Sequence, residues 1–219
     1  MGGIVTKKIQ KQGLELLLTT QRVVYIPSVE ALVLSDLHVG KSGHFQKYGI
    51  PIAKNVLLND LQRLQDCIEH FVPKKVIVVG DLFHAEYNSD LETFHQWLQN
   101  FRNIAFILVR GNHDRLPNSL YQKLNLMVFN ETWQLDDFEF IHDTENHQFE
   151  EQKITFSGHI HPGVFLKGKG RQRIKLPCFV ETHHEIVLPA FSEFTGLNTK
   201  FERENAKFYG FTKDRIIDL

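Results

Sequence analysis

Three continuously apolar runs that lead into polar motifs constrain the fold more than any other feature of this sequence. They are ALVLSD at 31–36, VIVVGD at 76–81 and IAFILV at 104–109. Unbroken Val, Ile and Leu is typical of strands that are buried on both faces of a sheet, whereas half-exposed strands alternate with polar residues. We therefore expect three buried strands, each passing into a loop that is fixed firmly enough to hold a ligand.

The segments between these predicted strands have apolar residues at the spacing of helices. Pro51 is predicted to begin a helix that runs to about residue 70, and Ser89 with Glu92 predicts a capping box for a second helix. Residues 14–27 and the chain beyond residue 126 carry short alternating runs that are typical of strands, with a last hairpin at 213–214. This order predicts an α/β or α+β sandwich of sheets covered by helices.

Composition sets modest limits on function. With 219 residues and 42% hydrophobic content, we expect a single domain over residues 1–219. The net charge of −1 provides no global field that attracts nucleic acid or an anionic membrane. Cys67 and Cys178 form no CxxC pair, and the start MGGIVTKKIQ lacks an apolar signal core. We expect buried reduced thiols, a cytoplasmic location and no membrane partner.

Five motifs rich in Asp, Asn and His recur in order along the chain, and they contain half of its 12 histidines. They are Asp36-Leu37-His38, Gly80-Asp81-Leu82-Phe83-His84, Gly111-Asn112-His113-Asp114, Ile141-His142-Asp143 and Gly158-His159-Ile160-His161. Each motif alone is typical of a loop, a helix cap or a turn. Five in order favour a binuclear centre instead, because carboxylate, amide and imidazole suit two divalent metals better than one structural zinc.

Asp81 is the candidate for a carboxylate shared by both metals, since it follows a buried strand and has two oxygens to share. Asp36 and His38 alternate along a segment that we expect to be extended. The other candidate ligands are Asn112, His142, His159 and His161. Water between two cations becomes a hydroxide nucleophile near neutral pH, and we expect it to attack the phosphorus of a phosphate ester.

His113 adjoins a candidate ligand and is predicted to act beside the metals rather than on them. We expect Asp114 to fix the tautomer of His113 and to raise its basicity. A positioned imidazolium can stabilise charge in the transition state and protonate the leaving oxygen.

The motif order DxH…GDxxH…GNHD…H…GHxH, over residues 36–161, is similar to that of the calcineurin-like metallophosphoesterase superfamily. The resemblance implies a four-layer α/β/β/α sandwich of two mixed sheets flanked by helices, with the site at the carboxyl ends of the strands. It implies that Asp36, His38, Asp81 and His161 bind one metal. It implies that Asp81, Asn112, His142 and His159 bind the other. His84 stands where many members carry a histidine or aspartate behind the ligands.

Segments outside the metal motifs resemble the bacterial ligase-associated DNA damage response endonucleases, from residue 34 to residue 196. These segments include SDLHVGK at 35–41, GHIHPGV at 158–164, LPCF at 176–179 and LPAFSEFTG at 188–196, with Ser192 where glycine is expected. The resemblance implies a manganese-dependent phosphodiesterase acting on DNA in repair, with a functional link to an ATP-dependent DNA ligase and a helicase or exonuclease. Manganese is favoured because no thiolate ligand is present, with iron or zinc as alternatives.

Basic residues recur at every second position after the last motif. They are Lys167, Lys169, Arg171, Arg173 and Lys175. On an extended hairpin they would share one face and hold the phosphates of a strand, although a charged edge strand that blocks aggregation calls for the same residues. Lys41 is a further candidate for a phosphate contact. The aromatic residues Phe45, Tyr48 and Tyr87 are candidates for stacking on a base or for core packing.

Two other functions remain open at this stage. One is a phosphatase or phosphodiesterase for small nucleotides or phosphoproteins, which the near-neutral charge favours and the basic run disfavours. The other is a non-catalytic interaction module on the same fold. Such modules tend to lose the histidine of the GNH motif or metal ligands, and this sequence keeps them all. The oligomeric state is not predicted.

Overall fold

The computed structural model describes residues 3–41, 55–84, 88–168, 172–201 and 205–219. Several predicted positions lie outside the described residues, and they are Phe45, Tyr48, Pro51, Tyr87, Lys169 and Arg171.

The first sheet has seven strands, and the three apolar runs form its centre. In spatial order the strands are β1 (Thr6–Lys11), β2 (Leu14–Thr19), β3 (Val24–Ile26), β4 (Ala31–Leu34), β5 (Lys75–Val79), β6 (Ala105–Val109) and β7 (Met127–Phe129). Strands β1 to β4 pair antiparallel, and β4 to β7 pair parallel. Because β4, β5 and β6 run in parallel, their carboxyl ends meet at one edge of the sheet.

The second sheet has eight strands in the described residues, all of them later in the chain than β7. They are β8 (Thr132–Leu135), β9 (Phe138–Ile141), β10 (Ile154–Ser157), β11 (Gly163–Lys167), β12 (Arg173–Glu181), β13 (Glu185–Val187), β14 (Lys207–Phe211) and β15 (Ile216–Asp218). Their order is β15-β14-β12-β13-β10-β9-β8, with β11 paired to β12. Strands β9, β10 and β13 are parallel, and the predicted last hairpin is confirmed as β14 and β15.

The described helices connect the strands of the first sheet. They are α1 (Val56–Phe71), α2 (Ser89–Leu98) and α3 (Asn118–Lys123). The predicted capping box is wrong in detail, because the side chain of Asn88 caps α2 by accepting from the Asp90 amide at 3.0 Å. No described helix is long and apolar enough to cross a membrane.

Burial on both faces explains the unbroken apolar runs. Leu32, Leu34 and Val78 pack under the helices, whereas Val33 and Ile77 face the second sheet. The core between the sheets is rich in phenylalanine from β9, β10 and β12. Two mixed sheets with flanking helices confirm the predicted α/β sandwich, with the described helices all on the first sheet.

The two thiols are predicted to be unreactive in the folded protein. Cys67 and Cys178 are both fully buried, and burial raises each pKa to about 12. Because the thiolate is the nucleophile, we expect a chromogenic disulfide reagent at pH 8 to modify neither thiol on mixing. Addition of guanidinium chloride should expose two reactive thiols per chain. Rapid modification without denaturant would contradict this burial.

Candidate metal centre

The loops that follow β4 and β5 stay hydrogen-bonded to each other, and this brings the first two motifs together. The Asp36 amide donates to the Gly80 carbonyl at 3.0 Å, and the His38 amide donates to the Asp81 carbonyl at 2.9 Å. These bonds extend the parallel pairing of the two strands into the loops. The DxH and GD motifs are therefore neighbours because β4 and β5 are neighbours.

Many of the candidate ligands adopt left-handed backbone conformations. Five of the seven have positive φ, namely Asp36 (57°), His38 (52°), Asp81 (53°), His159 (65°) and His161 (51°). The prediction of an extended DxH segment is therefore wrong, because Asp36 and His38 both adopt left-handed conformations. Such conformations are uncommon outside glycine and concentrate at functional sites, where the surrounding structure compensates the strain.

The first group of candidate ligands consists of Asp36, His38 and His161, whose ligand atoms all lie within 4.8 Å of one another. Nε2 of His161 lies 3.0 Å from Oδ1 of Asp36, and Nε2 of His38 lies 4.0 Å from the same oxygen. Among the described residues, neither ring nitrogen of His38 has a hydrogen-bond partner, although His38 is only 5% exposed. A buried imidazole without a partner is costly in a protein interior, and a metal ion would satisfy it.

The second group consists of Asp81, His142 and His159, again within 4.8 Å. Nδ1 of His142 donates to the Val79 carbonyl at 2.9 Å, which leaves Nε2 as the ligating nitrogen. This Nε2 lies 3.4 Å from Oδ2 of Asp81 and has no hydrogen-bond partner within the described part of the chain. The Val79 carbonyl thus orients His142 as a ligand, a role that no sequence signal reveals because any residue supplies a carbonyl.

The charges of the two groups suit cations. Burial raises the pKa of the Asp81 carboxyl, but the contacts with His142 and the His113 amide outweigh burial and lower this pKa to about 2. Burial lowers the pKa of His38 to about 3, so its imidazole is neutral. Burial also lowers the pKa of His142, yet the carboxylates of Asp81 and Asp36 raise it to about 9. Two buried carboxylates that remain ionised thus attract positive charge, whether protons or metal ions.

The glycines of three motifs allow close approach to the ligands. A Cβ at Gly80 would lie 2.0 Å from Nδ1 of His142, and one at Gly111 would lie 2.2 Å from Oδ1 of Asp81. A Cβ at Gly158 would lie 2.9 Å from Oδ2 of Asp36. No side chain fits at these distances, so only glycine at these three positions allows the ligand side chains to keep their observed places.

The GNHD loop wraps around Asp81. The His113 amide donates to Oδ1 of Asp81 at 2.9 Å, which places the exposed Asn112 beside the second group. The predicted bond between Asp114 and His113 is wrong. The two oxygens of Asp114 accept from the amides of Phe83 and Gly111, each at 2.9 Å. Asp114 therefore joins the GDLFH and GNHD loops, and burial raises its pKa to about 7.

His113 contacts two other histidines instead. Its ring stacks on that of His84, with centroids 4.9 Å apart and an angle of 24° between the planes. The ring of His38 lies edge-on to both, at 5.5 Å from His113 and 5.3 Å from His84. His84 thus packs against both His38 and His113, and its ring, rather than the carboxylate of Asp114, contacts the His113 imidazole.

The LPAFSEFTG segment supports the first ligand group from behind. The Phe191 amide donates to the Ser35 carbonyl at 2.8 Å, and the Ser192 amide donates to the Asp36 carbonyl at 3.2 Å. The guanidinium of Arg22 donates to the carbonyls of Ala190 and Ser192. Ser192 is buried, and its hydroxyl accepts from the Phe194 amide at 3.2 Å, so serine fits the position expected for glycine. Sequence reasoning missed Arg22, for which the motifs gave no signal.

The candidate substrate-binding residues fall in two places. Lys41 is half-buried next to His38, with Nζ 5.8 Å from the centre of the Phe194 ring, and burial lowers its pKa. Lys167 pairs with Arg173 across the β11–β12 hairpin, and Phe165 pairs with Lys175. Directly paired residues share a face, which confirms the predicted single basic face for the described residues.

A groove of about 1280 Å³ borders the second group. It passes Asp143 and Ile160, which flank candidate ligands, and continues to His183 and His184. Oδ2 of Asp143 lies 3.8 Å from Nε2 of the exposed ligand His159, so Asp143 connects the groove to the second group, although none of the three ligands of that group lines the groove.

Comparison with known families identifies the fold. The model of the calcineurin-like phosphoesterase family matches residues 30–207, which include all seven candidate ligands. The chain is a calcineurin-like phosphoesterase. This family uses divalent metal ions, so the two groups of ligands fit the chemistry of the family.

The calcineurin-like phosphoesterase is similar to a solved nuclease along almost its whole length. That structure is the nuclease MPE of Pseudomonas putida, with a TM-score of 0.82, 28% identity, and coverage of 98% of this chain and 100% of the nuclease. The phosphoesterase Yfce of E. coli matches with a TM-score of 0.44 and 14% identity, covering 85% of this chain and 96% of Yfce. Comparison with curated protein sequences finds no match.

Proposed function

We propose that this calcineurin-like phosphoesterase is a manganese-dependent DNA endonuclease that hydrolyses phosphodiester bonds during repair. One observation carries the proposal: two groups, each with one carboxylate and two imidazoles, meet at the carboxyl edge of the sheets. The similarity to a Pseudomonas putida nuclease over 98% of the chain supports a nucleic acid substrate. The ligands are oxygen and nitrogen without thiolate, which supports manganese.

Seven residues would hold the metals. Asp36, His38 and His161 would hold one ion, and Asn112, His142 and His159 would hold the other, with Asp81 shared between them. Oδ1 of Asp81 accepts from the His113 amide, and Oδ2 lies 3.4 Å from Nε2 of His142 in the second group. The Asp81 carbonyl accepts from the His38 amide of the first group, so Asp81 contacts segments that carry both groups. When bound, two divalent cations supply an activated water and neutralise the phosphoryl oxygens.

His113 would supply a proton to the leaving oxygen. Its backbone amide is fixed by Asp81, and its ring is stacked between the edge of His38 and the face of His84. The ring therefore stays at the rim of the ligand groups without being a member of either. General acid catalysis of this kind contributes about a hundredfold to ten-thousandfold to a rate.

Replacing His113 with alanine is expected to lower the turnover number for a nitrophenyl phosphodiester by about a hundredfold or more, because the general acid is lost. The metal content should stay at the wild-type value, since all seven ligands remain. The measurement pairs steady-state kinetics with elemental analysis after manganese loading. His95→Ala, on α2 and outside both ligand groups, is the matched control and should behave as wild type. A His113→Ala protein that lost its metals would contradict a role beside the metals.

Substrate comparison tests the nuclease assignment. We expect manganese-dependent cleavage of plasmid DNA and single-stranded oligonucleotides at low salt, at rates above those for small phosphate esters. A small-nucleotide or phosphoprotein phosphatase would show the reverse order. Inertness toward every DNA substrate would overturn the assignment. A cytoplasmic location and cooperation with an ATP-dependent DNA ligase and a helicase or exonuclease complete the proposal.

A further inference from the structure

An exposed aromatic side chain lies on the basic hairpin face. In the β11–β12 register, Phe165 is opposite Lys175, and the next pair on the same face is Lys167 with Arg173. Phe165 is 49% exposed. The cations of Lys167 and Arg173 are therefore about 7 Å along the strands from the ring, since strands rise about 3.3 Å per residue.

The two faces of this hairpin have different environments. On the opposite face, Val164 and Leu176 pack near Gly210 of β14. The basic face turns away from that contact, and no described acidic side chain pairs with Lys167 or Arg173. Lys175 is different, because its ammonium group donates to the Leu197 carbonyl. Two cations and a phenyl ring thus remain available to a ligand on one surface.

A cavity of about 280 Å³ lies against Phe165. Its other walls are mostly apolar and include Val164, Thr199, Phe201 and Phe208. Because Val164 belongs to the opposite face, the cavity lies at the edge of β11 that pairs with no other described strand and contacts residues of both faces. Its volume is close to the lower limit for small-molecule pockets, roughly 300 Å³. Charge at a strand edge suffices to prevent aggregation. That purpose explains neither an exposed phenyl ring nor an apolar cavity beside it, so the combination favours a ligand with both an anionic and a flat apolar part.

The hairpin is fixed to the first ligand group. The Gly163 amide donates to the Asn198 carbonyl, and the Asn198 amide donates to the His161 carbonyl, both at 2.8 Å. From His161 to Phe165 the chain advances four residues, a distance of at most about 13 Å since only the part from Gly163 onward is extended. A ligand on Phe165 is therefore held at a set distance from the candidate metals, within reach of a chain of a few nucleotides.

We propose that Phe165 stacks on an unpaired base of single-stranded DNA at this cavity, while Lys167 and Arg173 contact the adjoining phosphates. The inference rests on the proposed nuclease function and adds a specificity: a base inside a duplex has no free face for Phe165. Base stacking on an aromatic side chain tolerates every sequence, because each base has a flat face. The phosphate contacts should make binding weaken as salt rises.

The test is binding of a fluorescent 20-nucleotide oligothymidine, measured by anisotropy with calcium in place of manganese to prevent cleavage. We expect Phe165→Ala to raise the dissociation constant about tenfold, within the range for loss of one stacked base. Phe165→Trp should restore binding to the wild-type value or better. Ile174→Ala is the matched control, since Ile174 is 59% exposed on the opposite face of the same hairpin and should bind as wild type.

Three possible results distinguish failure of the stacking site from failure of the nuclease function. Weaker binding of the single strand by Phe165→Ala, with an unchanged rate on the nitrophenyl phosphodiester, supports the inference. Equal binding by Phe165→Ala and Ile174→Ala, while the wild-type protein still cleaves DNA, overturns the stacking site and leaves the nuclease function standing. A wild-type protein that hydrolyses the nitrophenyl ester but neither binds nor cleaves DNA overturns both.

Discussion

An Asp81→Asn protein is expected to fold and to lose metal-dependent hydrolysis. The side-chain oxygen of the introduced asparagine can still accept the His113 amide, so the GNHD loop keeps this bond. The substitution removes one of the two buried ionised carboxylates that attract cations to the centre. A bound metal stabilises the charge of the transition state by several kcal/mol. Loss of a metal is therefore expected to lower the rate of hydrolysis by about a thousandfold.

Thermal unfolding with and without manganese separates loss of metal from loss of fold. In the wild-type protein, added manganese should raise the unfolding temperature, because an ion that binds only the folded state stabilises it. The Asp81→Asn protein should unfold near the temperature of the metal-free wild type and show little change with manganese. Asp66→Asn, which removes the same charge from the surface of α1, should retain both the shift and the activity. Wild-type turnover by Asp81→Asn would contradict a bridging carboxylate.

The sequence predicted the parts of the fold that depend on local pattern. The runs that became β4, β5 and β6 were recognisable because both faces of these strands are buried, which leaves Lys75 at the start of β5 as the one polar residue in them. Helix α3 was missed because its six residues, NSLYQK, contain too few apolar positions for a helical period. Strand β1 was missed as well, since TKKIQK is mostly polar and its pairing with β2 is what makes it a strand.

The ligands were predictable, but their geometry was not. Residues that follow parallel strands meet at one edge, so the motifs alone indicated which side chains converge. The left-handed conformations of Asp36 and His38 depend on the amide bonds to Gly80 and Asp81, which are tertiary contacts. The prediction for Asp114 failed for a similar reason. Its carboxylate was assigned to a sequence neighbour, yet one of its partners is the Phe83 amide, 31 positions away.

The basic hairpin likewise combines a feature that the local pattern predicts with one that depends on tertiary contacts. Spacing by two predicted correctly that Lys167 and Arg173 share a face. Counting only charged residues, however, overlooked Phe165, two positions before Lys167, whose importance appears when the register places it opposite Lys175. The cavity beside Phe165 includes Phe201 and Phe208, which no spacing in the sequence connects with the hairpin.

Replacing Gly80 with alanine is expected to disable the metal centre through one added carbon atom. The new Cβ would lie 2.0 Å from Nδ1 of His142, so the imidazole must move and lose its bond to the Val79 carbonyl. Gly80 also has a φ of 79°, where a side chain costs about 1–2 kcal/mol. Because groups that orient a ligand contribute about tenfold to a hundredfold to metal affinity, we expect losses of at least that size in manganese binding and activity.

Gly13→Ala separates the cost of a left-handed backbone conformation from the steric clash with His142. Gly13 has nearly the same φ, 81°, but a Cβ there meets nothing within 4 Å. Both variants should lose about 1–2 kcal/mol in free energy of unfolding from the left-handed backbone, as measured in urea without metal. Only Gly80→Ala should also lose manganese binding and phosphodiester hydrolysis. Equal activity of the two variants would mean that His142 can move without consequence, and its place among the ligands would then be wrong. Because the backbone term is matched, a difference between them measures how much catalysis depends on the position of this one ring.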